Sequence, residues 1–307
     1  MNASARSARG AALLFALWAV ALLAALLAGL AMGARGEGEA ARYAYAQARA
    51  RYAAEAGVAR AVAGLRDADP ARRWVPDGRV YRFAFDQALV EVRITDATGQ
   101  VDLNAATPDV LANLFRAAGV DDAHARALAD AVQDWRDSDD LARANGAAAE
   151  AYRSAGLAWT PRNGPFRTTS ELARVYGMDD TLYRKLADSI TVYSGRNFPD
   201  SAYADPLALA AARDGDVASA TRDVGTRRAR PPLQTDANGV PEGGVAGIAA
   251  PSLVAGFGGL TQQIRVSATL PDGTRSIQDA IVRMTAVSGS LRPYTVLGWR
   301  TDLEDTR

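Results

Sequence analysis

From Ala11 to Ala34 the sequence reads AALLFALWAVALLAALLAGLAMGA, 24 residues without a charged side chain. A helix that crosses a bilayer needs about 20 such residues, so the run predicts a transmembrane helix. Arg6 and Arg9 precede it, and Glu37 and Glu39 follow Arg35. The positive-inside tendency then puts residues 1–10 in the cytoplasm and the bulk of the chain outside. A cleaved secretory signal is the competing reading, since Ala28 to Ala34 is rich in small residues, but the run exceeds the roughly 7–15 apolar residues of a signal core. Glu39 to Leu65 is Ala-rich and proline-free, with Arg and Tyr at spacings of three and four, which predicts that the helix continues into solvent. Asp67-Ala68-Asp69-Pro70 is expected to stop it.

The period then changes to two. Arg79 to Phe85 and Leu89 to Thr95 read as a hairpin, the second run alternating Val90, Val92 and Ile94 with Glu91, Arg93 and Thr95. Alternation returns from Gln263 to Leu270, and Pro271-Asp272-Gly273 turns the chain into a strand from about Arg275 to Ala286, with Tyr294 to Trp299 completing the sheet. Residues from about 100 to 215 lie between these strand groups and follow a helical pattern, so an insertion is expected to split the sheet.

Two parts of that insertion resemble each other. TPDVLANLFRAAGVDDAHARALADAV and TTSELARVYGMDDTLYRKLADSI each carry a Thr/Ser cap, an apolar helix, a Gly-apolar-Asp-Asp turn and a second helix that the Asp residues can cap. Such helix-hairpin-helix-like pairs bind DNA through backbone N–H groups at a glycine-containing turn. Here Asp121-Asp122 and Asp179-Asp180 stand at the turns, where they would repel phosphate, so no nucleic acid is expected as a partner. Asp200 to Gly259 reads as loop-rich, with ADPLALAAARDG as its one helical stretch.

Composition restricts the chemistry. The 307 residues contain 35 basic and 35 acidic side chains, no Cys and one His, His124. Thiolate nucleophiles, disulfides and Cys/His zinc clusters are excluded, and carboxylates are the plentiful ligands left, which suit hard cations such as calcium. They concentrate in DWRDSDD, residues 134–140. A helix from about Ala123 to Arg136, capped by Asp122, puts Asp134 in its last turn and Asp137 just beyond, on the same side. Carboxylates there face the negative end of the helix dipole at a cost of about 0.3–1 kcal/mol each, so a cation is expected nearby. Arg136 and Arg143 can supply it as solvated partners, or a calcium ion can. A catalytic acid/base pair is a third reading, but no Gly-x-Ser-x-Gly, phosphate loop or aromatic subsite accompanies it. Trp135, Tyr152 and Trp159 read as core of the insertion, His124 reads as a surface side chain, and enzymatic activity is not expected.

The membrane helix fused to a solvent helix and followed by strands resembles type IV pilins and pseudopilins. That class is cut by a prepilin peptidase after a leader ending in Gly, which here implies cleavage between Gly10 and Ala11 and a methylated Ala11. Such proteins keep a Glu at mature position five, where this chain has Phe15. VDLNAATPDVLANLFRAAGVDD, DAVQDWRDSDD, NGPFRTTSELARVYGMDDTLYRKLADSITVYSG and LRPYTVLGWR resemble the minor pseudopilin K family of type II secretion systems, also called general secretion pathway protein K, whose members lack that Glu.

The resemblance implies an α+β pseudopilin fold: a long N-terminal transmembrane and solvent helix packed on an antiparallel sheet, with a large α-helical helix-hairpin-helix-like insertion. The expected domains are a leader at 1–10, a transmembrane helix at 11–34, pilin helix and first strands at 35–99, the inserted domain at 100–215, a loop-rich segment at 216–259 and the last strands at 260–307. It implies a place in the inner membrane with the bulk in the periplasm, at the tip of a pseudopilus. The implied partners are minor pseudopilins I and J, the major pseudopilin and the prepilin peptidase. A membrane-anchored helix-hairpin-helix DNA-binding protein of a competence or type IV pilus system is the alternative function. The family also binds calcium in the insertion, where DWRD-x-D is followed by Gly-Ala-Glu-Asp and then a Tyr. The ligands this implies are Asp137, Asp139, Asp140 and Glu150, with Ala148 and Ala149 at the positions expected to be acidic. Lost ligand charge implies weaker affinity than in relatives.

Overall fold

The computed structural model of the chain describes residues 4–67, 69, 72–229, 260–285 and 293–304, with only the backbone course given for 4–12, 29–37 and 303–304. A single helix, α1, runs through Ser4–Leu65, a length of about 93 Å at 1.5 Å per residue. It joins the expected apolar and solvent segments without a break and stops one turn before Pro70, as the sequence predicts.

The two ends of α1 have different surroundings. Ala50, Ala53, Ala54, Val58, Ala61, Val62 and Leu65 are buried and recur at helical spacing, forming the stripe that packs on a sheet. In contrast Leu13, Leu14, Phe15, Leu17, Trp18, Val20, Leu22, Leu23, Leu26 and Leu27 are all exposed. They surround the helix, so no single face of the chain could cover them. Among the described residues no helix is long and apolar enough to cross a membrane. The expected span, Ala11–Ala34, extends at both ends past the described side chains.

Five antiparallel strands form the sheet in the order β1 (Asp77–Phe85), β2 (Ala88–Asp96), β5 (Thr261–Thr269), β6 (Arg275–Met284) and β7 (Tyr294–Glu304). Pairing of Val92 with Val266 and of Ile94 with Ile264 puts these residues on the face that meets α1. The small residues of α1 let helix and sheet approach closely: a Cβ on Gly57 would lie 2.5 Å from Val266 Cγ1. The predicted strands are met to within two residues at each end, β5 ending at Thr269 rather than Leu270 and β6 at Met284 rather than Ala286, except that β7 continues five residues past Trp299 to Glu304.

The insertion leaves the sheet after β2 and returns at β5, so two strands that pair directly are far apart in sequence. Its root is a two-stranded parallel ladder in which β3 (Val101–Asp102) pairs with β4 (Ile190–Thr191). Buried Asp102 fastens that root by accepting from the N–H groups of Asn104, Ser194 and Gly195 at 2.8 Å each. Within it lie α2 (Pro108–Ala117), α3 (Asp122–Arg136), α4 (Ala149–Ser154), α5 (Asp180–Leu186), α6 (Pro206–Ala211) and α7 (Val217–Ala229). Leu111, Leu114, Phe115, Leu128, Tyr152, Leu172, Leu186 and Leu209 fill a core of its own.

Three expectations need correction. The first half of the second hairpin unit is a 3-10 helix, Thr169–Arg174, rather than an α-helix. The segment predicted as loop-rich, 216–259, begins with α7. Asp216 accepts from Ser219 N at 3.0 Å, and Ala220 and Val224, four apart, are buried. Residues 230–259 lie outside the described residues. Finally Trp159 is not core: it is exposed, its Nε1 donating to the Arg174 carbonyl at 2.8 Å, while Phe166 stacks on Trp135 with centroids 5.9 Å apart.

Candidate functional site in the inserted domain

The acidic segment 134–140 closes α3 and opens the loop to α4. Asp121 caps α3, its carboxylate accepting from Ala123 N and His124 N at 3.1 and 3.0 Å. This is one residue earlier than the expected cap at Asp122. Those N–H bonds, His124's first, hold the Asp121 carboxyl below the usual carboxylate range. His124 itself is exposed beside Asp121.

Asp130, Asp134 and Asp137 recur along one side of α3, and each binds the loop that follows. Asp130 accepts from Asn145 N at 3.2 Å and from Asn145 Nδ2 at 3.1 Å. Asp134, only 3% exposed, accepts from Arg143 Nη1 at 2.6 Å and from Ala147 N at 2.9 Å. Its carboxylate lies so close to Gly146 that a Cβ there would collide with Oδ2. The same Arg143 Nη1 donates to Asp137 Oδ2. Hydrogen bonds to Asp137 and Asp134 hold the guanidinium above its ordinary range. Asp137 Oδ1 is buried without a hydrogen-bond partner.

The remaining acids serve the backbone. Asp139 accepts from Leu141 N at 3.0 Å. Asp140 accepts from Ala149 N at 3.1 Å, supplying to α4 the cap that Ala148 lacks a side chain to give. Glu150 faces outward and pairs with Arg153. Arg136 does not solvate the acids either, since its guanidinium donates to the carbonyls of Leu103 and Ala106 at 2.7 and 2.9 Å.

Asp137, Asp139, Asp140 and Glu150 are therefore not gathered into one cage. Among the described residues no three His, Cys, Asp or Glu side chains form a group that could hold a metal ion. Calcium takes six to eight oxygens, and here Asp134, Asp139 and Asp140 accept from backbone N–H groups while Ala148 and Ala149 contribute no side-chain oxygen. The residues present do not fit a calcium ion. The acid/base reading fares no better geometrically, because Asp134 and Asp137 share one guanidinium and Asp134 faces the interior.

Below the loop, Tyr152 is fully buried between Trp135 and Tyr176, and its hydroxyl accepts from Tyr176 N at 2.8 Å. Burial pushes its pKa up to about 12. The processing residues Gly10 and Ala11 lie within the backbone of α1, outside the residues whose side chains are described. The two glycine turns match the expected hairpins: Gly119 and Gly177 adopt φ of +96° and +82°, and Asp121 and Asp179 cap the helices that follow.

Comparison with known proteins bears on these elements directly. A family model described as "Type II secretion system (T2SS), protein K" matches residues 87–195, from β2 to just past β4, including both hairpin units and the acidic loop. Type II secretion system protein K of Klebsiella pneumoniae is 31% identical over 129 residues, 38% of this chain and 39% of its own length. The protein of the same name from Pectobacterium carotovorum subsp. carotovorum is 31% identical over 120 residues, 34% of this chain and 37% of its own. These matches span under two fifths of the length of either curated relative. A chain from the crystal structure of the GspK-GspI-GspJ complex of the enterotoxigenic Escherichia coli type 2 secretion system is similar over 88% of this chain and 99% of its own, with a TM-score of 0.54 and 18% identity. That likeness is one of fold. Over residues 87–195 the resemblance carried by the motifs is thus met by the family model, and the curated relatives are similar over a comparable length.

Proposed function

We propose that this chain, with the match to type II secretion system protein K across residues 87–195, is a minor pseudopilin of a type II secretion system. The observation that carries this reading is the division of α1. One half lies on the sheet through a stripe of small residues, while the other presents Leu13 to Leu27 on all sides. An apolar helix surrounded by water is unfavourable by about 25 cal/mol per Å², so this half needs lipid or neighbouring helices. The uncharged run from Ala11 to Ala34 supports insertion in the inner membrane with the folded bulk in the periplasm, and cleavage between Gly10 and Ala11 would expose Ala11 for methylation.

The insertion supports a place at the tip. It folds around a core of its own, separate from the one between α1 and the sheet, which suits a cap better than a repeating segment. Phe15 agrees, because a subunit with no neighbour above it has no amine to neutralise with a Glu at that position. The partners this reading assigns are minor pseudopilins I and J, with the major pseudopilin below and the prepilin peptidase acting first. The chain would start pseudopilus assembly and take part in protein export across the outer membrane. It would act by assembly, with no catalytic residue.

Co-isolation tests the partner assignment. Tagged chain expressed with minor pseudopilins I and J from the same cell should recover both in a stable complex, and recovery of neither would remove the tip assignment. DNA binding, the alternative, has acidic caps at both hairpin turns against it.

A further inference from the structure

Asp134 and Asp137 stand at the negative end of α3 with one of them almost wholly buried, and such a pair requires a compensating charge. The loop that leaves the helix turns back and delivers one. Arg143 donates a side-chain N–H to each carboxylate and its backbone N–H to Asp134 at 3.2 Å. Asn145 and Ala147 complete the attachment, through Asp130 and Asp134. Gly146 is the residue whose lack of a Cβ lets the backbone reach the Asp134 carboxylate.

We propose that the Arg143 guanidinium is an internal cation that holds the α3–α4 loop in place of a bound metal ion, so that folding of the inserted domain is independent of calcium. This rests on the loop geometry and stands whether or not the chain assembles as a pseudopilin. A divalent ion at this site would have to displace Arg143 and recruit oxygens already engaged with Leu141 N and Ala149 N. The loop offers no carboxylate at 148 or 149 to replace them. A guanidinium suits the place because its planar donors can serve two carboxylates at once and it keeps its charge at any physiological pH.

The test is the melting temperature of the full chain in detergent, with excess chelator and with millimolar calcium. The wild type should melt within about 1 °C in the two conditions, because a metal that binds only the folded state would raise its stability with concentration. Arg143→Gln in chelator should melt roughly 5–10 °C lower, since removing one partner strands a buried charge. Arg143→Lys, which keeps the charge on a shorter side chain, should fall between the two and be equally indifferent to chelator. A wild-type melting temperature that drops by several degrees in chelator overturns the proposal, and that reading needs no variant to fold. An Arg143→Gln chain that melts with the wild type also overturns it.

Discussion

Asp96 is buried where the last strand before the insertion meets the strand after it. Its carboxylate accepts from Thr98 N and Oγ1 at 2.8 and 2.6 Å and from Gln262 Nε2 at 2.7 Å. Burial nevertheless dominates and raises its pKa above the ordinary 3.8, against the pull of those hydrogen bonds. A carboxyl whose folded pKa is raised contributes stability that is fully present below its unfolded value and lost as pH rises through the folded one. Asp96→Asn removes that loss, and its amide oxygen can still accept from Thr98 N and Oγ1. Relative to the wild type, the variant should therefore gain stability between about pH 4 and pH 7 in denaturant titrations. A difference that stays flat across this range would contradict the assignment. The capping Asp pairs at 121–122 and 179–180 could be read from the sequence, to within one residue for α3, because capping is local, reaching two or three residues ahead. Arg143 could only be named there as one of two candidates, because its role depends on how a loop folds back over nine residues. The i, i+4, i+7 spacing of Asp130, Asp134 and Asp137 was the available signal for a docked loop.

At the scale of elements, the contact between α1 and the sheet depends on small side chains. Gly57 sits against Val266 and Val90, so Gly57→Val should destabilise by about 1–3 kcal/mol, the usual cost of overpacking. Gly38→Ala, in the same helix with open space around it, should instead gain up to about 1 kcal/mol from helix propensity. Thermal melts of the two variants check the pair, and equal shifts would show that propensity rather than packing governs α1. The strands were legible because alternation fixes which face is buried. Helix α7 was not, because Ala220 and Val224 are its only buried positions and charged side chains hide a two-residue stripe. Trp159 was misread for a related reason: composition says an aromatic ring is core, but the position of its indole N–H against Arg174 is set by the surface turn after α4.

The whole molecule joins one long helix, half of it on the sheet and half exposed, to a sheet cut by an insertion and an acidic loop that binds itself. The order of sheet and insertion was legible because two runs of period two flank a long run of helical period. The match to protein K covers residues 87–195, leaving the apolar half of α1 to be placed by its own chemistry. The most direct measurement is the intact mass of the chain recovered from membranes of a cell with an active prepilin peptidase. The account predicts loss of residues 1–10 and one added methyl group on Ala11. An uncut chain, or one that begins beyond about residue 30 as a cleaved signal peptide would leave it, would contradict it.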